Sequence, residues 1–113
     1  MVPVQFDVTA VDRASDAVLH VTGELDVATV PVLRTSVEKA LAEAPDTVLI
    51  DLTATRFIDS TGCRELVRSA KAGTARGVGV AVVVPPDNWR VRRVVDFVQL
   101  SAALPVHDAL PAG

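Results

Sequence analysis

Apolar side chains at Val2, Val4, Phe6, Val8 and Ala10 alternate with Pro3, Gln5, Asp7 and Thr9, the period-two pattern of a strand with one buried face. Pro3 suits the start of such a strand or the edge of a sheet. Residues 13–16 are polar and predict a turn. Ala17-Val18-Leu19-His20-Val21-Thr22 then predicts a second strand, antiparallel to the first and ending at Gly23. Past Gly23-Glu24-Leu25-Asp26 the period changes. Val30, Leu33, Val37, Ala40 and Leu41 recur at spacings of three and four, so residues 30–43 are read as an amphipathic helix. Thr29 is its expected N-cap, Pro31 falls in the first turn where no amide is needed, and Pro45-Asp46 stops it. Residues 47–52 form a short apolar run, read as a buried strand.

Asp59-Ser60-Thr61-Gly62 opens the next helix. Cys63, Leu66, Val67 and Ala70 are its expected buried face, Arg64, Glu65, Arg68 and Lys71 its outer face, and Gly73 and Gly77 its end. Residues 78–84 are continuous and β-branched, as expected of a central strand. Pro85-Pro86 ends that strand, and Asp87 caps a third helix reaching about Val98. Residues 100–113 are read as a short strand or loop plus a final helical turn. The order β-β-α-β-α-β-α predicts an α/β fold as a single domain over residues 1–113. Its sheet is mixed, an opening hairpin plus parallel strands joined by right-handed crossovers, with helices packed mainly on one side.

Composition narrows the function. Half of the 113 residues are apolar and 22% are charged, which suits a compact core and not a disordered chain. No apolar run approaches the length of a membrane span, and the first residues lack the basic and apolar regions of a secretion signal. A lone cysteine, Cys63, suits a reducing compartment, so a cytoplasmic location is expected. With His20 and His107 far apart, no metal site or other cofactor is expected. The net charge is −3. Residues 1–55 carry three bases against nine acids, and residues 56–113 eight bases against five acids. Arg90, Arg92 and Arg93 form one local cluster, but the overall balance and the few aromatic rings argue against nucleic acid as a direct partner.

Enzyme signatures are missing too. There is no phosphate-binding G-x-x-x-x-G-K-[ST], no strand-to-helix G-x-G-x-x-G and no G-x-S-x-G elbow. What remains is a pair of acidic loops at strand ends, Gly23-Glu24-Leu25-Asp26 and Asp59-Ser60-Thr61-Gly62. Helix capping explains one or two of Asp59, Ser60 and Thr61; it does not explain the run of four after Phe57-Ile58. Glu24 and Asp26 also read as a solvated turn, in which Asp26 would matter little for folding.

Asp51-Leu52, then six residues ending in Phe57-Ile58, then Asp59-Ser60-Thr61-Gly62, resembles the central motif of STAS domains, and more narrowly that of bacterial anti-sigma factor antagonists (anti-anti-sigma factors). Gly23-Glu24-Leu25-Asp26 before a helix that begins Val30-Pro31-Val32-Leu33 is similar to the other signature of that family. The resemblance spans about residues 4–100. It implies a small sheet with helices, no catalytic activity, and a regulatory serine at Ser60, with Thr61 as the alternative acceptor. Asp26, Glu24, Asp59, Thr61, Gly62 and Arg64 are the implied partner-binding residues. The implied partner is an anti-sigma factor with serine kinase activity, bound while Ser60 is unphosphorylated, and a metal-dependent serine phosphatase reverses the modification. A constitutive STAS scaffold, or a module binding a nucleotide or other small ligand, is the alternative. Cys63 and Arg64 depart from the family pattern, which has Leu and a small residue there, and Val98-Gln99-Leu100 replaces its Thr-Gly-Leu. A phosphate at Ser60 suits the physics of the position, since a helix start offers free amides and a positive dipole end.

Overall fold

The computed structural model describes residues 5–112; the alternation over Val2, Pro3 and Val4 lies outside them. Strands β1 (Asp7–Arg13) and β2 (Asp16–Leu25) form the expected antiparallel hairpin. Phe6, just before β1, and Val8 pack against the core as the alternation predicts, whereas Ala10, on this edge strand, is exposed. Helix α1 (Val30–Ala42) buries Val30, Leu33, Val37, Ala40 and Leu41, the five positions of the helical period. Strand β3 (Thr47–Asp51) follows and pairs in parallel with the first half of β2, from Asp16↔Thr47 to His20↔Asp51.

Next comes an element that the sequence pattern did not predict. The chain turns at Leu52 and re-enters beside the second half of β2 as β4 (Thr55–Ile58). β2 therefore does not end at Gly23. It runs on to Leu25 through an irregularity at Gly23/Glu24 and holds two parallel partners along its length. Gly23 has φ +100°, and a Cβ there would lie 3.1 Å from the Cα of Phe6, so only glycine fits the kink comfortably.

Helix α2 (Ser60–Ala75), strand β5 (Gly79–Val83) and helix α3 (Trp89–Phe97) complete the alternation. A one-turn 3₁₀ helix at Leu100–Ala102 precedes a two-residue strand β6 (Val106–His107), so the tail's helical turn comes before its strand. The main sheet runs β1-β2-β3-β5-β6, with β5 in its interior as expected. The fold is α/β with a mixed sheet. One face of the sheet joins the helices in a single large core that includes Leu19, Val21, Ile50, Leu66, Val82 and Val95. The opposite face carries a smaller apolar cluster of Val18, Leu49 and Ala81, with Leu110 of the tail packed on them. Arg13 donates to the carbonyl of Pro111 and helps to hold that tail.

Three sequence-based expectations need correction. Gly73 lies within α2, where a Cβ would sit 2.6 Å from Val80 Cγ2 and 2.7 Å from the Val78 carbonyl. Its role is close packing of α2 on β5, while Gly77, at φ +72°, follows the helix end. At α3 the N-cap is Asn88, not Asp87. The Asn88 side chain donates to the carbonyls of Leu52 (3.0 Å) and Thr55 (2.8 Å), which ties α3 to the β3–β4 turn. Finally, Glu65 does not face solvent but is 2% exposed. Its carboxylate accepts from Arg34 of α1 at 2.6 Å and from Arg68 at 3.4 Å, and Ser69 donates to its carbonyl. The bond and charge of Glu65 raise the Arg34 guanidinium above its ordinary value. The pair clamps α1 to α2.

A carboxylate buried with its partner removed is costlier than the same site with both polar groups replaced. Arg34→Leu alone is thus expected to lower the melting temperature clearly, and Arg34→Leu with Glu65→Leu to recover part of the loss. Thermal melts of the two single variants and the double variant check this coupling.

Candidate functional site

The two acidic loops meet because β2 and β4 pair in parallel. The register sets Glu24 opposite Phe57 and Leu25 opposite Ile58, and the Asp59 amide donates to the Leu25 carbonyl at 3.4 Å. The chain leaves β2 into the Asp26 loop and leaves β4 into α2 at the same end of the sheet. Gly62, in the first turn of α2, fixes the separation. A Cβ at Gly62 would lie 2.7 Å from Ile58 Cγ1 and 2.8 Å from the Leu25 carbonyl oxygen. Its first duty is therefore packing.

Each loop organises itself. Asp59 is the N-cap of α2, with its carboxylate accepting from the Gly62 amide at 3.0 Å and its carbonyl from the Cys63 amide at 3.0 Å. Asp26 does the corresponding work before α1, because its carboxylate accepts from the amides of Ala28 (3.0 Å) and Thr29 (3.2 Å). Thr29 holds the N-cap position without capping. Its hydroxyl turns back into the loop, accepting from the Asp26 amide at 3.0 Å and donating to the Glu24 carbonyl at 2.7 Å. Asp26 is thus more than a solvated turn residue.

Ser60 is the first residue of α2 and is exposed, and no hydrogen bond engages its hydroxyl among the described residues. Thr61 is half-buried, and Arg64 reaches its hydroxyl at 3.5 Å. Glu24 is exposed beside the loop. Cys63, next to Gly62, is buried, and burial together with the nearby Asp59 charge pushes its thiol above the ordinary value. Among the described residues no cluster of three His, Cys, Asp or Glu is placed to hold a metal ion, and no helix is long and apolar enough to cross a membrane. What the site offers is an exposed hydroxyl at the positive end of a helix, next to the Asp59 cap and in a loop pair that also carries Glu24 and Asp26. Phe57, which sequence reasoning passed over, stands beside it at 47% exposure. No period marked it out in the sequence, because β4 buries Thr55 and Ile58 and exposes both Arg56 and Phe57.

The STAS domain family matches residues 5–112. The chain belongs to that family. This STAS domain is similar to the anti-sigma-F factor antagonist RsfB of Mycobacterium tuberculosis, with 32% identity over 80 residues. That match covers 71% of this chain and 62% of the relative, so it spans less than two thirds of the relative's length. In three dimensions the STAS domain is similar to an anti-sigma factor antagonist from Mycobacterium paratuberculosis, at a TM-score of 0.78 and 27% identity over 94% of this chain and 88% of that one. It shares its fold with the anti-sigma factor antagonist SpoIIAA in its unphosphorylated form, at a TM-score of 0.69 and 23% identity over 90% and 87% of the two chains.

Gly62→Ala is expected to destabilise the STAS domain by about 1–3 kcal/mol, the usual cost of an overpacked site. Asp26→Ala and Asp59→Ala should each cost about 1 kcal/mol as lost caps. Urea unfolding of the three variants checks both figures. The raised thiol of Cys63 predicts slow reaction with iodoacetamide near neutral pH in the folded protein and ordinary reaction in urea, read by mass. Since folding raises this value, the contribution of Cys63 to stability is full below the unfolded thiol's range and is lost as pH rises from there through the raised value of the folded thiol.

Proposed function

We propose that this STAS domain is an anti-sigma factor antagonist, a binding module without catalytic activity of its own that is switched by phosphorylation of Ser60. The observation that carries the reading is the exposed, unengaged hydroxyl of Ser60, set at a helix start against the Asp26 loop in a chain similar to named antagonists. The partner in this reading is an anti-sigma factor with serine kinase activity, sequestered while Ser60 is free. A metal-dependent serine phosphatase acting on the phosphorylated form restores binding. The setting is the cytoplasm, and the contact surface comprises Glu24, Asp26, Asp59, Thr61, Gly62 and Arg64.

The physics favours a switch in binding over a switch in folding. A phosphate adds roughly −1.5 to −2 charges, and the N-terminal end of α2 stabilises negative charge through its dipole. Arg64, one turn further on, adds a cation within reach along the helix. The folded domain therefore tolerates the group. An interface that already contains Asp26 and Asp59 does not, because the new charge must be desolvated beside like charges.

Incubation with the cognate anti-sigma factor kinase and ATP is expected to add one phosphate within Asp59–Gly62, located by peptide mass spectrometry. Calorimetric titration should show Ser60→Ala binding like the unmodified protein and the phosphorylated form weakened by about a hundredfold or more, which is about 2.7 kcal/mol. Ser60→Asp should weaken less, since one carboxylate has less charge and fewer acceptor oxygens than a phosphate. Equal affinity for all forms would make Ser60 a helix residue only and favour a constitutive scaffold. A phosphate found only outside Asp59–Gly62 would overturn the assignment of the acceptor.

A further inference from the structure

A cleft of about 450 Å³ opens between β4 and α3. Arg56 and Phe57 of β4 line it from one side, Trp89, Arg90 and Arg93 of α3 from the other, and Glu24 stands at its rim. An adjoining cleft of about 480 Å³ shares Arg56, Trp89 and Arg90. Elsewhere on this chain Arg34, Arg68, Arg76 and Arg92 each have a carboxylate within ion-pair distance, Arg13 donates to the Pro111 carbonyl and Arg64 to the Thr61 hydroxyl. Arg56, Arg90 and Arg93 have no such carboxylate among the described residues. Three guanidiniums without a carboxylate partner thus line one cleft of a protein whose net charge is −3, one of them, Arg90, lying 5.3 Å from the centroid of the Trp89 ring.

The same surface exposes large apolar side chains. Trp89 is 58% exposed and Phe97 is 87% exposed. Arg90, Arg93, Val94 and Phe97 follow the spacing of a single helical stripe, while the core side of α3 is supplied by Val91 and Val95. Arg92, off the stripe, is tied to Asp96, Asp108 and the Val84 carbonyl. Val94 also packs partly against the core, so folding accounts for the apolar side of α3 and leaves Arg90, Arg93 and the exposed Phe97 unexplained. Tryptophan, phenylalanine and arginine are the residues that anchor protein interfaces. The cleft is an open groove, unlike the enclosed pockets that bury most of a small ligand.

We infer that the β4–α3 groove is the second half of the partner interface and docks an acidic, apolar-anchored segment of the anti-sigma factor; this rests on the proposed function above. The groove is continuous with the candidate site, since Glu24 borders it and pairs in register with Phe57. The combined surface is bipolar, acidic at Glu24, Asp26 and Asp59 and basic at Arg56, Arg90 and Arg93. Such a surface holds in one orientation a partner that is basic toward the loops and acidic toward α3, and it rejects partners of the opposite polarity. Phosphorylation of Ser60 changes only the acidic half.

Trp89 is the chain's single tryptophan, so 5-fluorotryptophan labelling gives one 19F resonance inside the groove. The labelled protein is titrated with the cognate anti-sigma factor, and affinities are measured for wild type, Ser60-phosphorylated wild type and the double variant Arg90→Glu/Arg93→Glu. The resonance is expected to shift on binding. The double variant should bind at least about tenfold more weakly, with a shallower salt dependence and an unchanged melting temperature. If phosphorylation releases the wild type but the double variant binds within twofold and the resonance stays in place, the groove proposal is overturned and the proposed function stands. If the wild type does not bind the anti-sigma factor at all, both are overturned. A resonance moved by a short RNA or by phosphatidylglycerol vesicles, and not by the anti-sigma factor, would assign the groove to another class of partner and likewise overturn it.

Discussion

The first turn of α2 rests on the backbone of Leu25, with Gly62 in a gap that has no room for a Cβ. That contact requires Leu25 and Ile58 to be neighbours, which they are only because β2 runs past its pairing with β3 and takes β4 as a second parallel partner. Several interactions hold β4 in this position. The buried Thr55 hydroxyl donates to the Val21 carbonyl at 2.9 Å, and the Asn88 amide bridges two carbonyls around the β3–β4 turn. Asp51 braces the same turn from the helix-free face, since its carboxylate accepts from the Thr53 amide at 3.0 Å and lies 2.7 Å from His20 Nδ1. The acidic loops are thus fixed to the sheet by short, saturated contacts.

Rigidity of this kind changes what a charge at Ser60 can do. The carboxylates of the two loops are already committed, Asp59 to the Gly62 amide and Asp26 to the amides before α1. A phosphate at the helix start therefore has few groups to rearrange and a favourable dipole to meet. In the proposed switch its effect falls on the partner that lies against the surface. The same economy explains the placing of Glu65: one buried carboxylate, held by Arg34 and Arg68, locks α2 to α1 from behind while the front of α2 stays open.

Long, periodic segments were legible in the sequence because burial imprints itself locally. The five buried positions of α1 and the β-branched run of β5 are of this kind. The loops were legible as chemistry too, since four short polar residues after Phe57-Ile58 exceed what a cap requires. What escaped depends on contacts distant in the chain. β4 has only four residues, two of them buried, and its partner is some thirty positions earlier. Glu65 looks solvent-facing by helical period until Arg34, 31 residues away, is brought against it. Asp26 reads as a turn residue because the donors to its carboxylate are backbone amides, which leave no mark in side-chain patterning. The β4–α3 groove draws its arginines from two elements, so only Arg90, Arg92 and Arg93 showed as a cluster, and Arg92 is the one the fold consumes.

The central claim is that the two loops form one preorganised surface whose state changes by charge without a change of fold. A 1H–15N correlation spectrum of the chain before and after stoichiometric phosphorylation tests it most directly. The account predicts full dispersion in both spectra, with shifts concentrated over residues 24–29 and 57–64 and little change along β3 and β5. Collapsed dispersion, or shifts spread through the sheet while residues 24–29 stay still, would contradict it.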